Sequence, residues 1–385
     1  MKRIRWKSGL FLLVVLLFAL CPLGIGISAS SPTIRVRILH NKSRVQVGAT
    51  GSYKIQTLDS LKEASFLSSH STLTVEASQQ GIQASGRTWG AQILIKPGAR
   101  ESLIRVGSRR YRGKILVRQK NSLLEIVNEL PLEEYLWGVI KPEISPKWPR
   151  ASILAFTIAA RTYAFKKLKD PSANPSGYHV SSEQDDQVYR GVEGEDPLSR
   201  ELVNETRGKI LTYLGEIIEA SYHACCGGYT ASLSDVWGGK GYPYLVAKPD
   251  NFCKKSPYFS WEFKIKVEKL REILREKGPI LGRLYRIKLL EFDQGRRVKR
   301  LEIEHQGGKM ELTGKEFREA VGGGDLRSTL FIAKRWGPYF VFKGKGWGHG
   351  VGLCQEGAKV MGEQGYTYKE ILEFYYPGTL VETVY

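Results

Sequence analysis

Acidic side chains, cysteines and repeated segments are all scarce in this sequence, and each shortage closes off a class of protein. Asp and Glu together number 39 against 58 Lys and Arg, a formal net charge of +19. A surface this basic attracts polyanions, so nucleic acid, acidic lipid and a carboxylate-rich bacterial wall all qualify as partners on charge alone. Five cysteines in 385 residues are far too few for a scaffold built from disulfides. There is no internal repeat and no low-complexity tract, which excludes repeat architectures and disordered tracts. Neither a Walker A loop nor G-x-G-x-x-G occurs, so nucleotide binding has no support. What remains is ordinary globular composition in a chain long enough for about two domains.

The N-terminus narrows the partners. Lys2, Arg3, Arg5 and Lys7 precede an apolar run from Leu10 to Leu20 that continues weakly to Ile27, followed by small residues up to Ser30. A basic stretch, a short apolar stretch and small residues form an export signal, so the mature chain is expected to begin near Ser31. The apolar run also approaches the length of a membrane anchor, and an uncleaved segment is the one membrane contact the sequence suggests. Export makes nucleic acid a poor partner.

Fold class reads as α+β. From Ile34 to Leu130, short alternating runs such as Ile34–Leu39, Ile93–Ile95 and Lys114–Val117 are separated by Gly, Ser and Asn, the pattern of strands. After Pro131 the period changes: Leu132, Tyr135, Leu136, Val139 and Ile140 predict one helix. Ala151, Leu154, Ala155, Ile158, Ala159 and Thr162 predict one face of a second. The segment between contains Pro142, Pro146 and Pro149, which predicts a stiff turn carrying Glu143. Residues 261–340 read as an inserted basic α/β element. It has a helix around Leu270, a hairpin about Asp293-Gln-Gly295, and a Thr313/Glu316 capping box opening a helix that stops at Gly322-Gly-Gly324. The tail ends in a helical pattern at Tyr368, Ile371, Leu372 and Tyr375.

Three groups of residues bear chemistry. Glu143, flanked by Ile140, Ile144 and Trp148, is placed for the desolvation that raises a carboxyl pKa and makes a general acid. The same spacing equally permits a helix cap or an ion pair with Arg150 or Arg161. The stretch Gly344-Lys-Gly-Trp-Gly-His-Gly-Val-Gly352 leaves backbone bare for close approach, with His349 and Gln355 available to line a cleft. His223, Cys226, Cys253 and Cys354 leave open a structural zinc site, a Cys226–Cys253 disulfide or buried free thiols.

Pro131-Leu-Glu-Glu-Tyr-Leu-Trp-Gly-Val139, Glu143 and Ala159-Ala-Arg-Thr-Tyr-Ala164 closely resemble the core of the SpoIID/LytB family. So do Gln187-Val-Tyr-Arg-Gly191, His223-Ala-Cys-Cys-Gly-Gly-Tyr-Thr230, Val236-Trp-Gly-Gly239 and Trp347-Gly-His-Gly-Val-Gly-Leu-Cys-Gln355, in the family's order. The resemblance covers about residues 125–255 and 342–380. With the residue patterns it divides the chain into an export segment or anchor (1–30), a β-rich region (31–124), a SpoIID-like core (125–260), the insert (261–340), which resembles no named domain, and the return of the core (341–385). It implies peptidoglycan glycan strands as substrate and lytic transglycosylase activity, with Glu143 catalytic and no cofactor required. Arg161, Tyr163, Gln187, Tyr189, His349 and Gln355 are the implied substrate contacts. The amidase-enhancer branch implies the alternative, a wall-binding protein that stimulates or positions a cell-wall amidase. One departure stands out: Phe156 occupies a position where the family often has Gln.

Overall fold

Alternation from Thr33 onward builds a seven-stranded and a six-stranded sheet. The computed structural model describes residues 30–58, 66–69, 72–172, 177–278 and 282–385. Nearly all of the expected export segment therefore lies outside the described residues. Among the described residues no helix is long and apolar enough to cross a membrane. In strand Thr33–Lys42 the alternate residues Ile34, Val36 and Ile38 are buried. Ile93 with Ile95 and Ile115 with Val117 repeat the pattern on neighbouring strands. Each such side chain contributes about 1.5–3 kcal/mol on burial.

The larger sheet runs in the order Val180–Ser181, Thr33–Lys42, Leu123–Pro131, Lys114–Lys120, Gln92–Pro97, Ser52–Thr57, Phe66–Ser69. Thr33–Lys42 pairs antiparallel with Leu123–Pro131 and parallel with Val180–Ser181. The boundary expected at residue 124 thus falls inside a strand, and residues 180–181 return to the edge of the N-terminal sheet. The β-rich region and the core share one hydrophobic cluster.

Strand Leu123–Pro131 runs straight into helix α1 (Leu132–Glu143), with Pro131 at the N-cap position and no side-chain cap. Its five predicted apolar residues are all buried. Helix α2 (Arg150–Lys169) starts behind Pro149 and is buried without a break from Ser152 to Thr162. It was expected to bury one face. Helix α1, strand Lys209–Tyr213 and two C-terminal helices pack around it, so even Thr157 and Arg161 point into protein.

Glu143 does not sit on the turn between the helices. It is the last residue of α1, which continues through Pro142. A proline lacks the N–H that would bond the carbonyl four residues earlier. That carbonyl, on Gly138, instead accepts the backbone N–H of Arg190 at 3.2 Å. The proline is tolerated because a second segment uses the acceptor it leaves.

The insert has its own hydrophobic cluster, running from Trp261 to Phe342. Strand Ser260–Lys266 pairs with Tyr339–Lys345 and closes it. The hairpin Leu284–Phe292/Val298–His305 is present, as is the capping box at Thr313 and Glu316 on helix Gly314–Val321. The chain then re-enters the core. Leu353–Cys354 pairs parallel with Tyr222–His223, and helices Gln355–Glu363 and Tyr368–Tyr375 follow.

Candidate functional site

Glu143 ends α1 pointing at three segments far away in sequence. Its Oε1 accepts the backbone N–H of Val188 at 2.7 Å. Its Oε2 faces the Gln355 amide, whose Nε2 lies 3.5 Å away. The Tyr222 hydroxyl also bonds the carboxyl. Glu143 keeps partial exposure, while its carboxyl lies among these groups. Burial pushes its pKa above the ordinary carboxylate range, against the opposing pull of the Val188, Gln355 and Tyr222 hydrogen bonds and the charge of Arg190. The alternative uses of Glu143 are not realised. Arg150 pairs with Glu201 and Glu205, and Arg161 pairs with Glu133.

The groups touching Glu143 are held by others. Gln187 Nε2 donates to Tyr222 Oη at 3.1 Å and to the Ala160 carbonyl at 3.2 Å, and its Oε1 accepts from Tyr135 at 3.1 Å. Phe156 packs edge-on against the Tyr222 ring with centroids 4.8 Å apart. The apolar residue at that position thus supports a site residue from beneath. Tyr222 and His223 are successive strand residues and face opposite ways, which is why Tyr222 and not His223 reaches the carboxyl. Tyr222 was not foreseen; its signal was its place in the strand leading to the cysteines.

The other expected contacts divide. Gln355 touches Glu143 directly, and Gln187 acts through Tyr222. Partly exposed Tyr163 donates to Asp186 Oδ1 at 2.6 Å. Tyr189 is in the core, bonded to Asn128 at 2.9 Å. Arg161 is fully buried, with Nε and Nη2 on the two oxygens of Glu133 at 3.0 and 2.8 Å and its remaining bonds to Thr206, Val203 and Lys209. Arg161 and Tyr189 therefore stand in the interior rather than on a ligand-facing surface. The His349 ring lies between those of Trp237 and His223, at 4.8 and 5.5 Å. Burial, with the charges of Arg297 and Arg318, holds its pKa down to about 3, so it is neutral at pH 7.

The cysteines form a second centre. Cys226, Cys253 and Cys354 converge with Asp250, their ligand atoms all within 4.8 Å of one another and all four residues buried. None of the described cysteines is in a disulfide; Cys226 Sγ and Cys253 Sγ are 3.3 Å apart. His223 does not join the set. Its Nδ1 is 3.1 Å from the Val351 carbonyl, and Asp250 takes the fourth place. Backbone N–H groups of Cys226 and Gly357 point at Cys354 Sγ, and that of Gly228 at Cys226 Sγ. Three sulfurs and one carboxylate, closed off from solvent and bonded by N–H groups, suit a structural tetrahedral cation such as zinc.

Residues 120–213 match the family described as stage II sporulation protein, and residues 251–352 match a domain of unknown function (DUF8618). The chain is 32% identical to stage II sporulation protein D of Bacillus subtilis over 275 residues, covering 66% of this chain and 75% of that one. It is 28% identical to the amidase enhancer of Bacillus subtilis over 386 residues, covering 86% of this chain but 53% of the enhancer. A protein of Brachyspira hyodysenteriae, named only as uncharacterized, is 27% identical over 357 residues, covering 91% of this chain and 93% of that one.

Proposed function

Because this chain belongs to the SpoIID family, we propose that it is a lytic transglycosylase that cleaves peptidoglycan glycan strands with Glu143 as its only acid and base. The observation that supports this is the Glu143 carboxyl, raised in pKa by burial and oriented by Val188, Tyr222 and Gln355, on a residue that keeps partial exposure. A carboxyl tuned upward is protonated in a larger fraction near neutrality and can donate to the glycosidic oxygen. The resulting carboxylate then takes the proton of the muramic acid C6 hydroxyl as that oxygen attacks C1. The glycosidic bond breaks, the new C1–O6 bond forms, and a 1,6-anhydro end remains. A nucleophile carried by the substrate removes the need for the second carboxylate of a hydrolase.

The basic exterior suits wall carboxylates, and the N-terminal pattern suits export to the wall. A zinc ion in the cysteine centre would hold the fold and take no part in the chemistry. Mass spectrometry of peptidoglycan or peptide-stripped strands treated with the purified protein is expected to find 1,6-anhydromuramic ends, absent with Glu143→Gln. Undiminished product from a folded Glu143→Gln protein refutes the assignment.

Similarity to an amidase enhancer over most of this chain supports a second reading, a wall-binding protein that positions an amidase. That reading expects glycan binding without anhydro product, and faster peptide release only when an amidase is added.

A further inference from the structure

The inserted module sends one charged side chain deep into the core. Arg297 lies just before strand Val298–His305 and is 2% exposed. Its Nη2 donates to the Cys226 carbonyl at 2.5 Å and lies 3.4 Å from the Tyr229 carbonyl. Nε and Nη1 are buried with no hydrogen-bond partner among the described residues. Asp293 accepts the Arg297 backbone N–H at 2.7 Å rather than the guanidinium. The guanidinium lies against the glycine-dense stretch. A Cβ on Gly350, whose φ is +89°, would stand 2.5 Å from Nη2.

A guanidinium keeps its proton in proteins, and burying one without an acidic partner is unfavourable. Nearby Arg318 adds charge of the same sign. The groups close enough for their ionised forms to act on Arg297 are Cys226, Asp293, Cys225 and Cys354. Three thiolates and a carboxylate around a divalent cation leave a net negative centre, and Arg297 bonds the backbone of one of its residues.

We propose that the inserted module serves the cysteine centre, with Arg297 as the buried counter-charge that lets Cys226, Cys253, Cys354 and Asp250 hold a divalent cation. The proposal rests on the reading of that cluster as a metal site. It gives the insert a role within the core: the module completes the electrostatics of a centre whose last cysteine the chain reaches only after leaving it.

The test uses the purified full chain, stripped of metal under reducing conditions and titrated with Co²⁺ and with Zn²⁺ against a chromophoric chelator. Wild type is expected to bind one equivalent and to show sulfur-to-cobalt charge-transfer absorption. Arg297→Gln keeps a donor for the Cys226 carbonyl but removes the charge, and affinity is expected to fall at least about tenfold. Arg297→Lys is expected to recover most of that loss, which a purely packing role would not produce. Equal affinity in Arg297→Gln and wild type overturns the proposal, as does an Arg297→Lys protein no tighter than Arg297→Gln. If Arg297→Gln does not fold, Arg297→Met takes its place under the same criteria. A folded wild type that binds neither ion removes the metal reading itself, a failure distinct from that of the counter-charge.

Discussion

Replacing Arg161 with methionine separates a structural arginine from a substrate contact. The change keeps a long side chain but removes two bonds to Glu133, at 3.0 and 2.8 Å, and those to Thr206, Val203 and Lys209. Glu133, itself 2% exposed, then stays buried without its cation. Breaking a buried pair by removing one partner costs about 3–5 kcal/mol. Two donors to Glu133 survive, Gly208 N–H at 3.1 Å and the Tyr385 hydroxyl at 2.7 Å. They still solvate the carboxylate, so the lower end, about 3 kcal/mol, is expected. That is a large share of the roughly 5–15 kcal/mol that holds a domain folded. Urea unfolding followed by circular dichroism measures it, with glycan binding measured under native conditions alongside. Adding Glu133→Leu is expected to recover much of the loss, because an apolar pair of similar volume replaces a buried ion pair at little cost. A single mutant within about 0.5 kcal/mol of wild type that had lost glycan binding would return Arg161 to the substrate and refute the reasoning.

Tyr222→Phe removes a hydrogen bond that favours ionised Glu143, so its raised pKa rises further. The alkaline limb of the kcat/KM profile is expected to move to higher pH, and an unmoved limb would show that the hydroxyl does not tune the acid. Glu143→Gln is expected to unfold at a higher temperature than wild type at pH 7. A carboxyl with a raised folded pKa loses folding stability as pH climbs from its unfolded to its folded value, and below the unfolded value the penalty is absent. The difference in melting temperature should therefore shrink toward zero on acidification; a constant difference would point to another cause. Pro142→Ala supplies an amide that competes with Arg190 N–H for the Gly138 carbonyl. Hydrogen exchange is expected to speed up at Arg190 and its neighbours, with little change in the strands of the N-terminal sheets.

Local pattern made much of the fold legible. Period-two alternation marked Ile34, Val36 and Ile38, period 3.6 marked α1, and the Thr313/Glu316 box marked a helix start to the residue. Pattern failed where a neighbour distant in sequence decides the outcome. Pro142 reads as a helix stop because nothing local shows that Arg190 will take the carbonyl it frees. Helix α2 reads as one-sided because its remaining walls arrive after residue 197. In the cysteine centre, Asp250 lies three residues before Cys253, a spacing that was visible, but a lone aspartate carries no ligand signature until the fold places it beside the sulfurs.

The same distance effect joins the two centres. Cys226, Asp250 and Cys253 precede the insert, and Cys354 follows it, so the cluster clamps together the two ends of a long excursion. Cys354 also caps helix Gln355–Glu363, its sulfur accepting the Gly357 N–H, and the first residue of that helix faces Glu143. The position of Gln355 against the acid is therefore fixed by the residue that closes the cysteine cluster. Loss of that cluster's integrity would act on Glu143 through one peptide bond, by releasing Gln355 and with it one of the hydrogen bonds that restrain the carboxyl pKa.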